Sequence, residues 1–215
     1  LKRKIVLCTY HHFVESKFSK LDFDDLDQYV NSYHAISKYT EMQLRELTNK
    51  NIFTQPFWVN QKIWFPIENK EAIRKDFNFS KDDYLVGSFQ RDTESADFKS
   101  PKLEKGPDIF FKIVSEINKD KKNLLVVLTG KNRQYLIEKF TQHHIRYKYF
   151  EMIDQKKMNQ LYNILNLYIV SSRVEGGPQS ILECSAVNTP IISTDVGVAN
   201  KILHTASIYS DDYRL

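Results

Sequence analysis

Short apolar runs alternate with helix-compatible stretches along most of this chain, and that alternation restricts the fold more than any other feature of the sequence. Ile5 to Cys8, Tyr33 to Ser37, Ile52 to Gln55, Tyr84 to Phe89, Asn123 to Thr129, Arg146 to Phe150, Leu165 to Val170 and Pro190 to Thr194 read as strands. Between them, Phe23 to Asn31 (with Asp22 as its cap), Lys38 to Thr48, Pro107 to Asn118, Arg133 to Thr141, Gln155 to Ile164 and Ala199 to Leu203 read as helices. A fully apolar strand such as Ile5 to Cys8 belongs inside a parallel sheet covered on both faces. In the second half the strand–helix pairs recur at about 20–25 residues, the spacing of a doubly wound α/β sheet. No side-chain pattern recurs from unit to unit, which excludes a solenoid.

Regularity fails between Phe57 and Ser80, where an aromatic, prolyl segment from Trp58 to Pro66 is followed by a charged stretch. The expected organisation is a first α/β domain over residues 1–66, a linker over 67–80 and a second domain over 81–215. The chain opens at Leu1, almost directly on a strand, so we expect a fragment: the end of one Rossmann-like domain and a nearly complete second one.

With 215 residues, 41% hydrophobic and 13% aromatic, the chain buries a sizeable core, and disorder is excluded. Cys8 and Cys184 each sit among apolar residues, giving neither a disulfide framework nor metal-ligand spacing, which points to a reducing, cytoplasmic compartment. The basic start lacks the apolar length of a signal peptide, and no run reaches the ~18 apolar residues of a membrane span. The net charge of +4 is dispersed, and clusters such as Lys119 to Lys122 and Lys156–Lys157 read as solvated faces. No zinc-finger spacing or ribonucleoprotein motif supports nucleic-acid binding. Weak attraction to anionic lipid is compatible with the charge, so a peripheral contact at the inner face of the membrane stays in view. Neither a Gly-x-Gly-x-x-Gly nor a Walker loop follows any strand, which disfavours dinucleotide oxidoreductases and P-loop enzymes.

The stretch Ser171-Ser-Arg-Val-Glu-Gly-Gly-Pro-Gln-Ser-Ile-Leu-Glu183 carries the chemistry. It follows an apolar strand, turns on two glycines and enters a helix. Pro178 suits the first helical position, where a missing N–H is harmless. The amides of Gln179, Ser180 and Ile181 then point out of the helix start without intrahelical partners, a ready site for phosphate. Glu175 and Glu183 flank that start and read as hydroxyl acceptors. A ligand with polyol, phosphate and polyol in series fits, which describes a nucleotide sugar. Glycine is scarce, at 87, 106, 130, 176, 177 and 197, and most of these follow strands or open helices, marking the face that holds the ligand.

Glu175 and Glu183 stand in a Glu-x7-Glu arrangement, and with Thr189-Pro-Ile-Ile-Ser-Thr-Asp-Val-Gly197 the stretch resembles retaining glycosyltransferases of the GT-B fold, family four of that group. The resemblance is strongest over 165–197 and thin before residue 80. It implies transfer of a sugar from a nucleotide-diphosphate donor to an acceptor hydroxyl with retention of configuration, as in polysaccharide biosynthesis, without a metal ion or other cofactor. The acceptor would be a glycan, a lipid-linked glycan or a protein. Lys105, in Lys105-Gly106, and Arg91 would face the donor diphosphate, Arg91 with the two-oxygen fork of a guanidinium. Glu175 and the Gly176–Gly177 backbone would hold donor-sugar hydroxyls, and Glu183 the ribose diol. Gly87, Pro178, Gln179, Ser180 and Ile181 complete the donor site. His11, in Thr9-Tyr-His-His12, matches a Thr-x-His that contacts the sugar from the first domain. Asn188 replaces a turn glycine and is among the few residues that tolerate a left-handed backbone. Lys201 stands where the family often has glutamate, with no functional account. Two alternatives stand beside this reading: a nucleotide-sugar epimerase of the same architecture, and a non-catalytic or incomplete donor-binding module.

Overall fold

The structure, a computed structural model, describes residues 5–11 and 19–209. The first part contains β1 (Leu7–Tyr10), α1 (Lys20–Asp27), β2 (Ser32–Ala35), α2 (Lys38–Leu47) and β3 (Asn51–Thr54). Its strands form one parallel sheet in the order β1-β2-β3. Both helices open on a capping box: Ser19 and Ser37 accept from the amides of Asp22 and Thr40, whose side chains return to the cap backbone. Ser19 is therefore the cap that the sequence reading assigned to Asp22. β1 was expected to be buried, but among the described residues it is an edge strand with a neighbour on one side only, and Ile5 and Leu7 are 80% and 51% exposed.

The second part runs through α3 (Lys70–Asp76), β4 (Tyr84–Ser88), α4 (Pro107–Asp120), β5 (Leu124–Thr129), α5 (Gln134–Gln142), β6 (Tyr147–Phe150), α6 (Gln155–Ile164), β7 (Leu167–Val170), α7 (Gln179–Val187), β8 (Ile191–Thr194), α8 (Ala199–Ile202) and β9 (Ile208–Tyr209). The strands pair in parallel in the order β6-β5-β4-β7-β8-β9. The chain builds outward from β4 to β6, then returns to place β7 on the other side of β4. Ligands of open α/β sheets bind at such a reversal, in the crevice beyond the strand C-termini. Apolar clusters cover both faces: Val86 and Leu128 pack with Phe110, Val114 and Phe140, while Leu85 and Val127 pack with Leu161, Tyr162 and Ile181. This two-sided burial is why β5 is apolar at almost every position.

The segment read as an irregular linker contains α3, capped by Asn69, whose Oδ1 accepts from the Ala72 amide at 3.1 Å. Only Ile73 of this helix is buried, so its sequence carries almost no periodic signal. Arg74 ties it down by donating to the carbonyls of Ser80, Asp83 and Ile164. Upstream, Trp64 packs on Tyr162, and the amides of Phe65 and Ile67 donate to Asn159 and Asn163 of α6. Asn188 has the left-handed conformation, at φ 58°. Among the described residues, no helix is long and apolar enough to cross a membrane.

Candidate functional site

The crevice between β4 and β7 is assembled from distant segments. After β4 the chain makes an excursion that closes in a short helical turn, Leu103–Lys105, followed by Gly106 at φ 59°. A Cβ on Gly106 would overlap the Ser171 carbonyl, so the positive φ and the close approach both require glycine. That approach delivers Lys105 to the end of β7. Its carbonyl accepts from Ser171 Oγ (3.1 Å) and Gln90 Nε2 (2.9 Å), and its Nζ lies 2.5 Å from Glu175 Oε1. Ser172 Oγ donates to the same oxygen at 3.1 Å, while Glu175 Oε2 takes no hydrogen bond from the described residues. Arg173 braces the loop through a two-pronged pair with Asp108, at 2.8 and 2.6 Å. Glu175 also lines a cavity of about 320 Å³ shared with Lys38, Tyr39 and Met42 of α2 and with Asp195, Asn200 and Lys201.

Pro178 is extended (φ −62°, ψ 115°) and is the cap residue of α7 rather than its first helical residue. Ile181, expected to offer a free amide, instead donates to the Pro178 carbonyl at 3.1 Å, tightening the first turn. The amides of Gln179 and Ser180 take no partner among the described residues. With the helix dipole, those two amides favour an anion. Gly176 and Gly177 lie against Ile36, and a Cβ on Gly176 would overlap the His11 carbonyl, so the end of β1 meets the loop backbone to backbone. The His11 ring packs on Phe57 (5.2 Å between centroids) and shares a cavity of about 280 Å³ with Phe57, Trp58 and Gln179. Gln179 Nε2 donates to the Trp58 carbonyl at 3.0 Å. His12 lies outside the described residues.

Glu183 accepts from Tyr162 Oη at 2.8 Å. Burial pushes its carboxyl above the usual range, against the smaller lowering effect of that hydrogen bond. It is not on the wall of the Glu175 cavity. Gly87 is buried, and a Cβ there would overlap Leu165, so strand packing accounts for its missing side chain.

Arg91 is not on the wall of the Glu175 cavity. It lines a separate cavity of about 670 Å³ with Ser95, Phe98, Lys131, Asn132, Gln134, Glu151 and Met152. The guanidinium that the fold does draw inward is Arg133, fully buried against Asp92 at 2.5 Å. No local signal distinguished it, because charged residues are so seldom buried.

A doubly wound parallel sheet, with the Lys105–Glu175 pair and the start of α7 where its strand order reverses, defines an open-sheet α/β protein of the Rossmann-like kind. Residues 69–207 match the sequence profile described as Glycosyl transferases group 1, and the chain belongs to that family. The fold is shared with Anabaena HepE, solved with UDP and glucose, at 13% identity and a TM-score of 0.76, over 94% of this chain and 55% of that one. Sucrose-phosphate synthase from Thermosynechococcus elongatus matches at 18% identity and a TM-score of 0.70, over 91% of this chain and 51% of that one. WaaG, a glycosyltransferase involved in lipopolysaccharide biosynthesis, matches at 14% and 0.68, over 89% and 54%. At these identities the likeness is one of fold. The chain spans about half the length of these solved structures. No curated protein matches it in sequence.

Proposed function

We propose that this chain binds a nucleotide-diphosphate sugar and serves the transfer of its sugar to an acceptor hydroxyl, with the anomeric configuration retained. The observation that carries this reading is the meeting of Lys105, Glu175 and the start of α7 at the β4–β7 crevice. As the bond from sugar to diphosphate breaks, negative charge gathers on the leaving group. The Lys105 ammonium and the Gln179 and Ser180 amides are fixed in place to stabilise that charge. Glu175 and the Gly176–Gly177 backbone take donor-sugar hydroxyls, Glu183 takes the ribose diol, and His11 closes over the sugar from the three-stranded sheet. No metal ion is needed, since Lys105 and the helix start carry the charge. The acceptor is a glycan, a lipid-linked glycan or a protein, in a polysaccharide-building step at the cytoplasmic side. The UDP and UDP-glucose complexes of HepE support the donor class.

A second reading, donor binding without turnover by these 215 residues alone, is favoured by the half-length match to the solved relatives. Calorimetry and product release test both. Glu183→Ala weakens nucleotide binding, whereas Glu175→Ala spares the bare nucleotide and weakens the nucleotide sugar. Equal losses for both ligands in the Glu175 variant contradict this division of roles. Binding without nucleotide release in the presence of acceptor sugars selects the second reading.

A further inference from the structure

The excursion between β4 and α4 is an ordered structure. Buried Arg133 holds Asp92 and donates to the carbonyls of Ser88 (2.7 Å) and Thr129 (2.8 Å). Thr93 bridges to Pro101, the Lys102 amide donates to the Asp92 carbonyl (2.8 Å), and Asn132 Nδ2 donates to Ser95 Oγ (2.7 Å). At the tip, Phe98 has φ 53° and is 56% exposed. It shares the 670 Å³ cavity with Met152, itself 71% exposed, and with Arg91, Lys131 and Glu151. These residues follow β4, β5 and β6, so the cavity lies along the C-terminal edge of the six-stranded sheet. Lys105 and Glu175 lie along the same edge, on the other side of β4. Two large apolar side chains exposed at one polar-rimmed cavity suit the face of a flat ring.

Resting on the reading that the crevice holds a nucleotide diphosphate, we propose that this cavity takes the base and selects guanine, with Phe98 and Glu151 as the specificity-determining residues. The ring stacks on Phe98 and packs against Met152. Among the described residues, Glu151 is the only carboxylate on the cavity wall. Guanine presents a ring N–H beside an exocyclic amino group, two adjacent donors for the two oxygens of a carboxylate. Uracil presents one N–H between two carbonyl oxygens, which a carboxylate repels, and adenine places a ring acceptor beside its amino group. Arg91 and Lys131 offer donors to the guanine carbonyl.

The test is calorimetry on the full chain with GDP, UDP, ADP and inorganic diphosphate. The wild type is expected to bind GDP about tenfold or more tighter than UDP or ADP, the discrimination of a two-pronged base contact. Glu151→Gln removes that preference and leaves inorganic diphosphate unaffected. Phe98→Ala weakens all three nucleotides by about fivefold or more, as loss of a stacking ring does, again sparing diphosphate. Both side chains are exposed, so both variants are expected to fold. Nucleotide binding without a GDP preference, or unchanged by both substitutions, overturns the base assignment and leaves the donor reading standing. No binding of any nucleotide or of diphosphate overturns both.

Discussion

Lys105 Nζ and Glu175 Oε1 are 2.5 Å apart, although 70 residues separate them and they follow strands that the chain builds at different times. The pair is mostly buried, so removing one member leaves the other short of a partner. Lys105→Met is expected to cost about 1–3 kcal/mol in urea denaturation, the range for an unsatisfied buried group. It should also weaken nucleoside-diphosphate binding. Adding Glu175→Gln should restore most of the stability and none of the affinity. Wild-type affinity in the single variant would take Lys105 out of phosphate recognition.

Arg133 and Asp92 form the most deeply buried ion pair among the described residues. Arg133→Met keeps the volume and strands the Asp92 carboxylate, which should destabilise the protein by about 3–5 kcal/mol. The Glu94 and Phe98 amides, whose bonds lie within the excursion, should then exchange with solvent faster. Unchanged exchange at those amides would show that the excursion holds itself together without the guanidinium.

Glu183 gives a pH signature with a definite sign. Its carboxyl is raised in the folded protein by burial, so the folded state holds its proton to higher pH than the unfolded chain does. Stability from this group is fully present below the ordinary glutamate value, about 4.3, and is lost as pH rises through the raised folded value. Glu183→Gln keeps an acceptor for the Tyr162 hydroxyl and removes the titration. The variant should gain on the wild type in denaturation midpoint as pH rises above the ordinary glutamate value, about 4.3. A parallel pH dependence in the two proteins contradicts the assignment.

Asn188 ends α7 at φ 58° and ψ 38°. Glycine adopts that conformation without strain, whereas a β-branched side chain does not. Asn188→Val should lower stability by about 1–2 kcal/mol, the cost of a left-handed residue, and Asn188→Gly should leave it nearly unchanged. Thermal denaturation of the two variants side by side distinguishes a backbone requirement from one for the asparagine amide.

What the sequence made legible was whatever is decided locally. The helix over Gln155–Ile164 matches its periodic stretch residue for residue, and α2 and β4 begin where propensity and turn residues place them. The stretch from Ser171 to Glu183 was recognisable because its glycines, proline and helix start are consecutive. Features set by distant partners were not legible. The course of Arg91 depends on Asp92 meeting Arg133, 41 residues away. The exposure of β1 depends on its place in the strand order. α3 escaped notice because its stability comes from Arg74 reaching carbonyls on other segments rather than from an apolar stripe. Pro178 was displaced by one position because an extended ψ, invisible in the sequence, makes it the cap.

The strand order has a kinetic consequence. β4 pairs on one edge with β5, the next strand in the chain, and on the other with β7, some eighty residues later. Pairings this remote in sequence form late and raise the barrier to folding. The crevice that brings Lys105 to Glu175 therefore comes into being only at the end of that process. A ligand seated there bridges the earliest and latest parts of the sheet. It should act on the rate at which the finished domain comes apart, with little effect on the rate at which it forms.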